Sequence, residues 1–509
     1  MARTRLDNAR RNIAVALAAR AAALLSTFVT RTVVVSRLGA AYAGLSGLFS
    51  AVLQILSLAE LGFGSAMVFS MYRPIAQGDV DGVCALLSLY RRIYRIIGLT
   101  VTGIGLLLLP VLPAMISGEV PPGAHLYGLY GINLANAALS YFLFAHESSL
   151  LAADQRGRLS SLLDAGATLC ANLVQTLVLL KTRSFTLFFL VLPGITACKS
   201  LVTHRLVRRL YPQFVCRGQV PEKSLSGIRR RVSGLFIHRL CQVTRHSLDS
   251  VVISAHLGLT ALTQYGNYYA VMAAVAEMTG AVTRALTASV GNALVTKSRA
   301  ENYRDFQAIQ LLYMWLCAVC TVCLFGLYQP FMRLWMGEGL MLGPGRMALF
   351  CAYFFTSRMG EVCYTYRQAA GLWGEDRVRP AAEAAGNLLL NVLLVRIIGM
   401  SGVLLSTILC LVGINAAWGS RILFRHCFTG ERQSGYLLRL AYYAGATGLC
   451  CAVTGLCCAR LAPGGAAGLA VRLALCLTVP NLILPALLLR LPEFGDAMAL
   501  ARRVLRKGA

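Results

Sequence analysis

Apolar runs of bilayer-spanning length follow one another along almost the whole chain, at roughly 13–36, 42–71, 93–116, 126–152, 160–180, 184–207, 235–256, 260–295, 307–332, 345–369, 378–398, 400–424, 436–459 and 465–490. A helix needs about 20 such residues to cross the hydrocarbon of a membrane. The chain therefore reads as an all-α polytopic membrane protein with about 14 transmembrane helices. Spans longer than the hydrocarbon is thick are expected to tilt or to continue into water as helix. With 57% hydrophobic and only 14% charged residues, the sequence lies outside the soluble globular and disordered classes. Its net charge of +27 does not imply nucleic acid, because the basic residues punctuate apolar runs instead of gathering on one soluble face.

Those basic residues report topology instead. Counted over loops and span ends, 33 fall on the side that holds both termini and 7 on the other. Cytoplasmic loops carry the excess of Lys and Arg, so both ends are expected in the cytoplasm. Arg3, Arg5, Arg10 and Arg11 precede the first run as in a signal peptide. That run is too long and carries Arg20, and it reads as a retained first helix. Most of the 17 cysteines sit inside apolar runs, where thiols act as small hydrophobes, and no disulfide framework is implied.

The chain also repeats itself. Val33-Val-Val-Ser36 with Leu38-Gly39 returns as Val251-Val-Ile-Ser254 with Leu257-Gly258, and Gly47, Ala51 and Val52 return as Gly266, Ala270 and Val271; the offset is 218 residues up to the serine and 219 after it. Pro113 to Gly118-Glu119 is echoed by Pro330 to Gly337-Glu338. Six spans separate the copies, so both enter the membrane in the same direction, as two parallel-repeat six-helix lobes about a pseudo-twofold along the membrane normal. The expected layout is a basic N-terminus (1–12), an N-lobe (13–210), a cytoplasmic linker (211–234), a C-lobe (235–432), two extra helices (433–490) and a basic amphipathic tail (491–509) on the anionic inner leaflet.

Ionisable residues inside spans are costly unless they face water or a partner. Arg20 and Arg31 are eleven apart, three helical turns within about 20°, so both leave the first span from one face. Arg239, Arg245 and Asp249 stand on the leading helix of the second copy, where Arg245 and Asp249 are an i,i+4 pair. Arg358 and Glu361 are spaced i,i+3, and Glu383, Asn387 and Asn391 form a polar stripe. The expectation is a cationic cavity of Arg20, Arg31, Arg239, Arg245 and Arg358 for an anionic substrate, with Glu60, Asp249 and Glu361 as charge partners or coupling carboxylates. Arg472, Lys199, Arg284 and Asp164 read as structural pairs or snorkelling side chains. His146 and Glu147 are adjacent, so they cannot share a helix face.

Enzyme signatures fail. Cys317, Cys320 and Cys323 have iron–sulfur spacing but lie in an apolar span without a fourth ligand. Gly62-Phe-Gly64 lacks the strand and third glycine of a nucleotide fingerprint, and there is neither a Walker loop nor H-E-x-x-H. No catalytic residue, metal or cofactor is expected. A membrane-embedded transferase would need a loop domain larger than the inter-lobe linker.

Asn12-Ile13 through Arg31-Thr-Val-Val-Val-Ser-Arg-Leu-Gly39, Gly44-Leu-Ser-Gly-Leu-Phe-Ser50, Leu58-Ala-Glu-Leu-Gly-Phe-Gly-Ser-Ala66 and Ser70-Met-Tyr-Arg-Pro74 resemble the bacterial polysaccharide-export flippases, as do Ser140-Tyr-Phe-Leu-Phe-Ala145, Tyr265-Gly-Asn-Tyr-Tyr269 and Ser289-Val-Gly-Asn292. These are the O-antigen and teichoic-acid exporters, the Wzx-like branch of the multidrug/oligosaccharidyl-lipid/polysaccharide (MOP) superfamily. The resemblance implies alternating access in the bacterial cytoplasmic membrane. It also implies a lipid-linked oligosaccharide substrate of the undecaprenyl-pyrophosphate type, surrounding membrane lipids, and work beside a polysaccharide polymerase and glycosyltransferases. Where relatives often carry a basic residue after Phe-Phe-Ala, this chain has His146-Glu147, a position that a histidine would make pH-sensitive. The alternative on the same fold is a MATE-like drug/cation antiporter, whose cavity would be rich in unpaired acids and aromatics.

Overall fold

The computed structural model describes residues 2–57, 63–154, 157–220, 222–462 and 465–508, and all regular elements among them are helices. In chain order these are α1 (Ala2–Arg37), α2 (Ala40–Leu56), α3 (Phe63–Gln77), α4 (Val80–Leu107), α5 (Leu126–Phe142), α6 (Ala145–Ala153), α7 (Gly157–Thr182), α8 (Phe185–Leu210) and α9 (Glu222–Thr296). Then come α10 (Arg299–Met336), α11 (Pro344–Met359), α12 (Glu361–Ala369), α13 (Val378–Ile398), α14 (Met400–Cys410), α15 (Gly419–His426), α16 (Gln433–Leu461), α17 (Gly465–Leu488) and α18 (Phe494–Gly508). Seven described helices are long and apolar enough to cross a bilayer, or eight if α4 and its 60° bent continuation count together. Other expected spans are broken helices: 126–152 divides into α5 and α6 at Phe144, which is left-handed at φ 54, and 345–369 divides into α11 and α12 at Gly360.

By contacts the chain forms two compact units, Met1–Thr263 and Gln264–Ala509. The boundary lies inside α9, whereas hydrophilicity places the expected one at the 211–234 linker. Contacts in the first unit give the reason. Gly258 interrupts α9 with φ 84 and ψ 176, the conformation of Gly39 between α1 and α2, at φ 109 and ψ 165. Only a residue without Cβ adopts it cheaply, so the two glycines matched by the repeat also make the same backbone corner. The corners meet. Thr263 Oγ1 donates to the Ala40 carbonyl at 2.6 Å, and a Cβ on Gly44 would stand 2.0 Å from the Leu259 carbonyl oxygen. At the repeat offset, Ala40 corresponds to Leu259 and Gly44 to Thr263, so the contacts are reciprocal, as across a twofold axis. Ser117 N–H, from the loop after α4, donates to the Ser254 carbonyl at 2.9 Å, and Tyr42 hydroxyl donates to the Pro122 carbonyl. The stretch 247–263 is thereby bound to α1, α2 and the 116–122 loop.

The offset persists in the helix caps. Asp79 caps α4 by accepting from Gly82 N–H, and Ser298 caps α10 by accepting from Glu301 N–H within a capping box. Each cap satisfies a backbone donor left over at a helix start. Gly118 and Gly337, also matched by the repeat, share positive φ of 87 and 76.

In the second unit α10 is the central strut. Phe306 packs against Tyr366, Phe424, Phe428 and Tyr436 with ring centroids 5.1–6.3 Å apart, and α16, α17 and α18 pack beside it. The tail helix packs on the second unit along one side. Ala497 of α18 is fully buried and Glu493, just before it, pairs with Arg439 at 3.0 Å. Protein, not lipid, covers that side of the helix.

Gly44 and Gly47 differ in one testable respect. A Cβ on Gly47 meets only the Leu262 side chain at 3.8 Å, an ordinary contact, whereas one on Gly44 runs into backbone. Close-packed interiors do not absorb such an overlap. Gly44→Ala is expected to lower the melting temperature in detergent by on the order of a few degrees and Gly47→Ala to leave it unchanged; equal melting curves would contradict the tight corner.

Candidate functional site

Hydroxyls and an amide orient the arginine-bearing helix α1. Asn172 Nδ2 on α7 donates to Ser26 Oγ at 2.8 Å and Thr27 Oγ1 at 3.0 Å, and Thr30 Oγ1 lies 3.0 Å from Thr176 Oγ1. That row pins one side of α1 to α7. Arg31 leaves the helix beside it, half-buried, with Nη2 3.5 Å from the Thr263 carbonyl, and its charge acts on His246 of α9. Arg245 is half-buried and, one turn on, Asp249 is buried at 1% exposure. The side chains of Arg20 and Arg239, and the whole of Glu60, lie outside the described residues.

Arg358 and Glu361 belong to the second unit, where they pair at 3.2 Å across the break at Gly360. Arg284, which sequence reasoning left as a structural pair, does bond Glu277 at 3.0 Å. It also approaches Arg358: a Cβ on Gly280 would lie 3.2 Å from Arg284 Nη1 and 3.7 Å from Arg358 Nη1. The bare glycine lets two guanidinium groups share one wall. Such forks bind phosphate oxygens bidentately.

Two arrangements escaped sequence reasoning. The first is a buried quartet. Arg367 and Arg379, counted there as loop cations, are 3% and 2% exposed. Arg379 holds Asp376 through two bonds of 2.6 and 3.0 Å and Glu383 at 3.1 Å; Arg367 Nε stands 3.3 Å from Asp376. Two cations face two carboxylates, so the set is neutral, as burial in low dielectric demands. It continues the polar stripe: Asn415 donates to Glu383 at 3.2 Å and Asn387 to Thr407 at 3.0 Å. The i,i+4 spacing of Arg379 and Glu383 was the available signal. The second is a pairing of Glu147 with His204 of α8, at 2.8 Å, not with His146. Phe144 stacks on His204 with centroids 4.0 Å apart.

The first unit also has an open pocket of about 770 Å³, within the range of ligand sites. Tyr72, Tyr94, Tyr141 and Phe144, from α3 to the α5–α6 break, are among its lining residues. Serines of α6, α7 and α8 line it too, with Asp164 and Lys199, which pair at 2.5 Å.

No family model matches the chain, and no curated protein matches it in sequence. Its fold does match solved structures. The lipid II flippase MurJ in an inward closed conformation aligns with a TM-score of 0.67 at 12% identity, over 93% of this chain and 98% of that one. An inward-facing multidrug-resistance MATE transporter of the MOP superfamily gives 0.59 at 14% identity, over 83% and 96%. The Vibrio cholerae MATE transporter VcmN in its bent form gives 0.52 at 14%, over 85% and 98%. The chain thus has the multi-pass transporter fold that these flippase and MATE structures share.

The buried quartet generates its own test. Breaking a buried pair from one side strands a charge and costs about 3–5 kcal/mol. Arg379→Met is therefore expected to lower the melting temperature sharply, and Arg379→Met with Asp376→Asn to recover part of the loss. A double variant no better than the single would contradict the pairing.

Proposed function

We propose that the chain is a flippase carrying an oligosaccharide on a lipid pyrophosphate from the inner to the outer leaflet of the bacterial cytoplasmic membrane, for cell-surface polysaccharide synthesis. The observation that carries this reading is the set of guanidinium groups on membrane-embedded helices, Arg31 and Arg245 in one unit and Arg284 and Arg358 in the other. Arginine stays charged in such surroundings and its fork fits phosphate. Coverage of the fold supports it: the MurJ match extends over 93% of this chain against 83% for the MATE transporter. The antiporter reading needs carboxylates available to a cation. Glu361, Glu277 and Asp164 each already hold a base.

In this mechanism Arg20, Arg31, Arg239, Arg245 and Arg358 receive the pyrophosphate, tempered by Glu60, Asp249 and Glu361, while the lipid tail stays in the bilayer. Lobes 13–210 and 235–432 alternate between open and closed at each membrane face. The reciprocal contact of the Gly39 and Gly258 corners is the closed end, and transport requires it to part. With both termini cytoplasmic, that end faces outward and the 211–234 linker faces the cytoplasm.

Arg31→Ala in proteoliposomes is expected to lower flipping of a fluorescent lipid-linked oligosaccharide at least tenfold, with Arg31→Lys recovering part, because charge survives without the fork. Unchanged flipping in Arg31→Ala and Arg358→Ala alike would sink the reading, and efflux of a lipophilic cation by the same vesicles would favour the antiporter. For topology, the native Cys216 is a poor reporter, since burial raises its thiol above the usual range and it is the thiolate that reacts. A cysteine at the exposed Arg217, with the accessible native thiols removed, is expected to label only after permeabilisation; labelling in intact cells would reverse the orientation.

A further inference from the structure

The pocket of the first unit is lined by two chemically different sets of side chains. The aromatic set is built rigidly. Tyr90 hydroxyl donates to Tyr94 hydroxyl at 3.0 Å, their rings meet edge to face at 4.6 Å, and Tyr94 and Tyr141 stand 6.0 Å apart. Gly64 makes room, since a Cβ there would lie 3.3 Å from the Tyr90 hydroxyl. Phe144 is fixed by its stack on His204 and by a left-handed backbone, a strained conformation of the kind that gathers at functional sites.

The polar set includes Ser148 and Ser149 of α6, Ser160 of α7 and Ser200 of α8. None of these four hydroxyls bonds another described residue. Serines in membrane helices ordinarily return their hydroxyl to the preceding turn, as Ser140 does to the Ala137 carbonyl at 2.6 Å. Four that do not, converging from three helices on one cavity, leave donors and acceptors for something inside it. Asp164 and Lys199 add an ion pair that is 56% and 38% exposed, so both groups keep capacity for further hydrogen bonds. Because each cancels the other's charge, the pocket offers no excess charge to a cation or a phosphate.

We infer that this pocket is a saccharide-binding site, which takes a pyranose ring with its C–H face against the aromatic rings and its hydroxyls toward the serines and the Asp164–Lys199 pair. A sugar ring is two-faced in the same sense: an apolar C–H surface stacks on tyrosine and phenylalanine while equatorial hydroxyls at the edge need partners. A volume of about 770 Å³ admits more than one ring. The flippase reading supplies the source of the sugar, the head of the lipid-linked substrate, and the arginines would then hold the pyrophosphate while this pocket selects the glycan. Binding itself can be measured without transport.

The test is saturation-transfer NMR on the full chain in lipid nanodiscs, with methyl β-glucopyranoside and methyl β-N-acetylglucosaminide as probes and tetraphenylphosphonium as the cationic contrast. Saturation is expected at the ring C–H protons of at least one glycoside. It should weaken at least tenfold in Ser160→Phe and in Ser200→Phe, which fill the pocket, with melting temperatures near that of the unmodified chain. No glycoside signal at millimolar concentration, or signals equal in both plugged variants, would overturn the proposal. So would saturation of the phosphonium in place of the sugars. Should both plugs unfold, a nitroxide on Val68→Cys, at the pocket wall, in a chain otherwise free of cysteine, decides: it broadens the glycoside protons if the site is right and leaves them sharp if it is wrong. A chain that binds glycoside but flips no lipid-linked oligosaccharide would keep the site and lose the flippase reading; the converse would do the reverse.

Discussion

Everything in the first unit hangs on two glycines that turn helices where no other residue turns them cheaply. A helix in lipid can break only if its backbone groups find partners within the protein. At Gly39 and Gly258 they do so on each other's elements, with Thr263 bonded to Ala40 and Gly44 seated against Leu259. The reciprocity of those contacts is local evidence of a twofold relation between the two corners, obtained without reference to how the larger units are disposed. It also explains why the contact boundary of the chain falls at Thr263 and not in the hydrophilic linker.

Around that frame the ionisable side chains sort by how they are neutralised. Arg367, Asp376, Arg379 and Glu383 are fully buried and mutually compensated, a structural solution to placing charge in low dielectric. Arg284 and Arg358 pair with half-exposed or partly exposed glutamates and lean toward the same glycine. Groups of the second kind can exchange a glutamate for a substrate oxyanion at modest cost, and groups of the first kind cannot. The serine-lined pocket is a third case, polar without net charge, and suits a neutral partner.

Much of this was legible in the sequence where the signal is periodic or local. Span length, the repeat offset that places Gly39 with Gly258 and Gly118 with Gly337, and the Arg358–Glu361 spacing all rest on short-range pattern. What stayed hidden depends on pairings set by packing. Arg367 reaches Asp376 around the α12–α13 turn, so a count of loop cations took it for a topology marker. Glu147 finds His204 from a helix 57 residues away, a pairing that its adjacency to His146 does not signal. Ser148, Ser160 and Ser200 carry no pattern in the sequence, and only the packing of α6, α7 and α8 places them around one cavity. The tail beyond Pro492 has the pattern of a lipid-bound amphipathic helix, and that pattern gives no sign that Glu493 and Ala497 pack on the second unit.

The central claim is that the paired corners form a gate that must part for the substrate to cross. A disulfide between Ala40→Cys and Thr263→Cys, in a chain otherwise free of cysteine, addresses it directly by holding the corners together. Flipping of a lipid-linked oligosaccharide in proteoliposomes should stop on oxidation and return on reduction, with the extent of bridging read by mass spectrometry. Full flipping by fully bridged protein would contradict the account.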